Sequence, residues 1–160
     1  MTQSLRFLML AALAVWLGGI VFFGAVVAPT LFSVLASRHL AGTVVVEALT
    51  RLHLMGMAAG ALFAASSMVH WRLTAGYARP FALRHLLIYG MLGLTLVSQF
   101  LLMPKMKALR AAMVEIDRVP PDDPRRVEFN RLHRQSTQIE GAVLLLGVGV
   151  VLSLARVRPR

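Results

Sequence analysis

The sequence predicts an all-α membrane fold: a four-helix bundle built from two helical hairpins arranged as a parallel repeat, with a long third connection. Three observations predict it. Hydrophobic residues make up 58% of the 160 residues and charged residues only 15%, against about 25% in an ordinary soluble domain. Four segments are long and apolar enough to cross a hydrocarbon layer, which takes about 20 residues as helix. The charged and amide side chains gather at the ends of those segments.

The first segment has no Lys, Arg, Asp or Glu between Arg6 and Arg38 and is expected to span over 7–35. It far exceeds the roughly 7–15 apolar residues of a signal peptide, so it reads as a retained helix. Pro29 lacks a backbone donor and should bend it. The second segment, 52–71, lies between Arg51 and Arg72, with His53 near its start and His70 near its end. The third, 84–104, lies between Arg84 and Lys105, with Gln99 as its one strongly polar side chain. The fourth, 136–155, is interrupted only by Glu140. Without water to satisfy it, the backbone of each must be helical.

The connections differ in character. "SRHLAGTVVVEALTR", between the first two segments, reads as a short interfacial helix. A tight turn with Gly76 and Pro80 joins the second and third. The last connection runs from about 105 to 135: "KMKALRAAMVEIDR" keeps a helical period, "VPPDDP" breaks it, and a helix restarts at Pro124. Asp122 and Asp123 in that break read as solvated.

The hairpins echo each other. Each has a proline near the end of its leading helix, a polar connection, the triplet Arg-Leu-His and then an apolar helix. Both would run the same way through the membrane, as parallel repeats do. His53 and His133 then share one side, with Gln99 and Glu140. All seven acids lie on that side: Glu47, Glu115, Asp117, Asp122, Asp123, Glu128 and Glu140. The other side carries Arg6, Arg72, Arg79, Arg84, Arg156, Arg158 and Arg160 and no acid. Count of bases places the mixed side in the cytoplasm, whereas density of bases and lack of acids place both termini there.

Function is less legible. Absence of cysteine removes disulfides, thiolate metal sites and thiol nucleophiles. The net charge of +10 flanks apolar segments, so the expected partners are the lipid bilayer and its anionic headgroups rather than nucleic acid. No phosphate loop, nucleophile elbow or metalloprotease helix is present, and no catalytic or metal-ligating residue is assigned. Glu140 has a structural explanation: Ser136 as helix cap, with the acid in a first turn where the helix dipole favours it. It could pair with Arg51, Arg134 or Lys105. Gln99 reads as a bond to a neighbouring helix. Trp16, Trp71 and Tyr89 read as interfacial or packing residues, and His39, His70 and His85 as interfacial. Gly56, Gly60 and Ala64 recur at four-residue spacing, the pattern of close helix packing, in a bundle or in a homo-oligomer.

The opening helix "LRFLMLAALAVWLGGIVFFGAVVAPTLF", the following "SRHLAG", the Arg-Leu-His before the second segment and "FNRLHRQSTQIEGAVLLLG" resemble the transmembrane-protein-205-like family, whose bacterial members form a domain of unknown function (4149). The resemblance implies a four-helix integral membrane protein and no established reaction. Its marks fall on Trp16, Gly18, Phe22, Pro29, His53, Asn130 and His133. The expectation is therefore a non-enzymatic protein of the bacterial cytoplasmic (inner) membrane. A polar pocket including Gln99 and Glu140 would serve binding, small-solute passage or partner assembly, with no cofactor. The competing reading is a redox protein in which His53 and His133 bind haem or a metal ion.

Overall fold

The computed structural model describes residues 2–77, 80–113 and 115–155, so Arg79 and the three arginines beyond Ala155 lie outside it. It contains four helices long and apolar enough to cross a membrane: α1 (Thr2–Val34), α2 (Arg38–Ala75), α3 (Leu83–Met113) and α4 (Pro124–Ala155). Among the described residues the remaining helical piece is a single 3₁₀ turn, Ile116–Arg118. Phe7, Leu10, Phe22, Leu86, Phe100, Leu145 and Leu152 point outward and exposed, as lipid-facing side chains should.

The helices run well past the charge-free windows. The expected interfacial helix after Ser37 is instead the first turns of α2, whose start is capped by Ser37 Oγ accepting from Leu40 N–H at 3.1 Å. α2 ends at Gly76, which takes φ = 76° and donates to Arg72 O at 3.1 Å. Only glycine adopts that left-handed closing geometry without strain. α4 starts where expected, at Pro124, a residue whose missing N–H costs nothing in a first turn. Its cap is Asp123, whose Oδ1 accepts from Arg125 N–H at 2.8 Å. Further hydrogen bonds from the Arg125 side chain hold the Asp123 carboxyl down at about 2. Asp123 is thus a bonded cap, and Ser136, assigned that role from sequence, sits far inside the helix.

Pro29 and Pro104 do not break their helices. Each follows a five-residue π-helical segment, Phe23–Val27 in α1 and Ser98–Leu102 in α3. There Ala28 N–H reaches Phe23 O and Met103 N–H reaches Ser98 O. Widening the ladder by one residue absorbs a missing donor without exposing backbone to lipid.

α1 packs chiefly on α2, α3 chiefly on α4, and α2 meets α3, while α1 and α4 touch sparingly. The main core is drawn from all four: Trp16, Phe63, Met91 and Val143 are at most 2% exposed. Gly56 and Gly60 serve this core. A side chain at either would run into the Trp16 ring, and at Gly60 a Cβ would also lie 2.8 Å from Leu92 Cδ2. The small-residue stripe thus lets α1 approach α2 within one chain. A second cluster, Met103, Met106, Met113, Phe129 and Leu132, packs the extension toward the long connection.

Gly60→Leu should therefore destabilise the fold by about 3 kcal/mol or more. Gly93→Ala, at a site where a Cβ meets nothing, should leave it unchanged. Thermal unfolding in detergent compares the two.

Candidate binding cleft

Three helices contribute to one hydrogen-bonded chain. His53 on α2 is buried at 2% exposure. Its Nδ1 lies 2.9 Å from Gln99 Oε1 on α3, and its Nε2 lies 2.6 Å from Glu140 Oε1 on α4. Each ring nitrogen thus has a polar partner on a neighbouring helix, so the imidazole bridges α3 and α4. Such a pair removes the cost of placing a lone carboxylate among apolar helices. Gln99 reaches the imidazole from within the π-helical segment of α3, so the backbone irregularity sits where the polar chain needs it. Beside it, Ser98 Oγ lies 3.5 Å from Ser136 Oγ, and both residues are buried.

Glu140 also forms part of the wall of a cavity of about 890 Å³. The cavity lies between α1 and α4, which touch sparingly, in the half nearer the long connection, and all four helices line it. The π-helical stretch of α1 supplies Phe23, Gly24 and Ala25, α2 supplies Val45, Leu49 and Leu52, and α4 supplies His133, Thr137, Glu140 and Leu144. Its outer end carries Arg38, Arg110 and Arg126, together with Asp117. Arg110 is built in firmly. Nη1 donates to His39 O at 3.0 Å, and the guanidinium lies 5.2 Å from the Phe129 ring centre. It also fills the space that a side chain at Gly42 would need. Its Nε is buried without a hydrogen-bond partner among the described residues.

The residues singled out in the sequence divide. His53, Gln99 and Glu140 converge. His133 does not join their chain: it faces the cavity with its ring parallel to Phe129, centroids 6.3 Å apart. The two Arg-Leu-His histidines thus have different surroundings. For His53 to ligate an iron, it would have to give up Glu140 or Gln99. Among the described residues no three His, Asp or Glu side chains are grouped to hold a metal ion. Glu140 pairs with His53 and not with Arg51, whose guanidinium lies 3.6 Å from Glu47 on the surface. Arg38, Arg110 and Arg126 went unrecognised in the sequence, where they read as ordinary flanking bases. His85, expected at an interface, is fully buried.

Fold and site together define a helical integral membrane protein with a polar chain behind a one-sided cleft. Residues 11–115 match the family described as a domain of unknown function (DUF4149), and the chain belongs to that family. The match ends before α4, so Asn130 and His133 lie outside it. No curated protein and no solved structure matches the chain.

His53→Leu should leave the Glu140 carboxyl without its partner and cost about 3 kcal/mol, whereas His53→Leu combined with Glu140→Leu should recover much of that loss. Unfolding in detergent measures both. A loss in the double change equal to the sum of the losses of His53→Leu and Glu140→Leu made singly would show that the two residues are not coupled.

Proposed function

We propose that the protein binds an amphiphile with one anionic group in the cleft between α1 and α4, in a bacterial cytoplasmic membrane. The observation that carries the reading is the cavity itself. It falls within the roughly 300–1,000 Å³ of small-molecule sites, its walls are apolar along the spans, and its outer end holds three guanidinium groups against one carboxylate. Guanidinium is the side chain best suited to a planar carboxylate or a phosphate.

An apolar tail gains little by leaving lipid for an apolar cleft, because hydrocarbon already solvates it. Selection therefore falls to the polar stations. Arg38, Arg110 and Arg126 hold the head, and Glu140, oriented by His53, accepts a hydrogen bond from a hydroxyl partway along the ligand. Binding is favoured over passage because the layer of Trp16, Phe63, Met91 and Val143 seals the bundle beyond the cleft. It is favoured over catalysis because the cleft hydroxyls are engaged away from imidazole nitrogens: Ser136 with Ser98, and Thr137 with His133 O at 3.0 Å.

Two glycines in the lining, Gly24 and Gly141, have open space where a Cβ would stand. Gly24→Leu and Gly141→Leu should fill the cleft while leaving the fold intact. The test uses protein in phosphatidylcholine nanodiscs and a pyrene-labelled fatty acid, with empty nanodiscs as blank. Saturable binding is expected. It should weaken about tenfold in Arg110→Ala, the loss of one charge-assisted hydrogen bond, and vanish in Gly141→Leu. Undiminished binding by Gly141→Leu, or none above blank by the parent protein, would refute the assignment.

A further inference from the structure

The end of the bundle opposite the cleft holds a second cavity, of about 340 Å³, lined by Arg6, His70 and Arg84 above a floor that includes Met9, Leu154 and Ala155. Arg6 belongs to the first turns of α1, His70 to the last turns of α2 and Arg84 to the first turn of α3, so three helices converge their bases here. Arg84 lies over the Trp71 ring at 5.0 Å, which fixes the plane of its guanidinium. Arg84 Nε and His70 Nδ1 are buried and have no hydrogen-bond partner among the described residues.

The charge balance here is one-sided. The acids of the chain all lie toward the cleft end, and every ion pair among the described residues is formed there. Arg6 and Arg84 therefore share a pocket with no counter-ion among the described residues, and a buried donor without a partner is costly. An external anion resolves both problems. It would meet the pocket at the depth where charged helix ends meet lipid headgroups, and a basic pocket between helices is the arrangement that binds such groups.

We propose that Arg6, His70 and Arg84 form a phosphoryl-binding site for the headgroup of an anionic phospholipid. One phosphate oxygen meets the Arg84 guanidinium, braced by Trp71, and a second meets Arg6, while the imidazole donates from His70. The apolar floor takes the glyceryl end of an acyl chain. This site is independent of the cleft at the other end.

The test reconstitutes the full chain in phosphatidylcholine containing a minor fraction of phosphatidylglycerol, followed by native mass spectrometry after gentle detergent release. The parent protein should retain one phosphatidylglycerol in preference to phosphatidylcholine. Arg84→Gln and Arg6→Gln should each reduce that retention about fivefold, the effect of one base near a headgroup. Arg6 is exposed, so its variant folds even if loss of the Arg84–Trp71 contact does not permit the other to. Arg72→Gln, a base on the same side outside the pocket, should retain lipid normally. Displacement by inorganic phosphate would support the phosphoryl site and assign it to soluble phosphate, while resistance to it would assign the site to lipid. Equal retention of the two lipids, or unchanged retention in Arg6→Gln, would overturn the proposal.

Discussion

A 2.6 Å contact between His53 and Glu140 is the interaction on which the polar half of this molecule depends. A carboxylate inside a helical bundle must be neutralised or hydrogen-bonded, since the surrounding lipid offers neither. Glu140 finds its partner on α2, and that partner is held in turn by Gln99 on α3. Three helices are thereby set in rotation and depth by one chain of side chains. Apolar packing in lipid specifies such a register weakly, because one greasy face resembles another. The steric counterpart is Trp16 against Gly56 and Gly60, which seats α1 on α2. With α1 tied to α2, and α4 tied to α3, the two pairs leave between α1 and α4 the space that becomes the cleft.

The π-helical segments belong to the same logic. Pro29 and Pro104 each remove a backbone donor, and the widened turns at Phe23–Val27 and Ser98–Leu102 absorb the loss. One such turn lines the cleft, and the other presents Gln99 to His53. The sequence showed the prolines but not the widened turns, because hydropathy carries no signal for an i to i−5 ladder.

Four spans were legible because charge-free windows of that length have few other uses. Their lengths were not. Helix continues through 38–51, 105–113 and 124–135, where charged side chains interrupt the apolar run but nothing stops the backbone. The cost of burying Glu140 was visible in the sequence, but its partner was not. His53 is 87 residues away, and Ser136 offered a nearer explanation that the early start of α4 removes. The repeated Arg-Leu-His suggested equivalent histidines. Helix α2, however, packs against both α1 and α3, which buries His53, while α4 packs chiefly on α3 and turns His133 toward the cavity. Arg110 was beyond reach for the same reason as Glu140's partner, since its place depends on the absent side chain of Gly42.

The most direct test of this account is the state of the His53 ring in a lipid bilayer. Protein labelled with ¹⁵N-histidine and examined by solid-state NMR should show both His53 nitrogens hydrogen-bonded. Glu140→Gln should move the Nε2 resonance and Gln99→Ala the Nδ1 resonance, each leaving the other nearly in place. A ring nitrogen that makes no hydrogen bond, or signals that ignore both substitutions, would mean that the three helices are not held together this way.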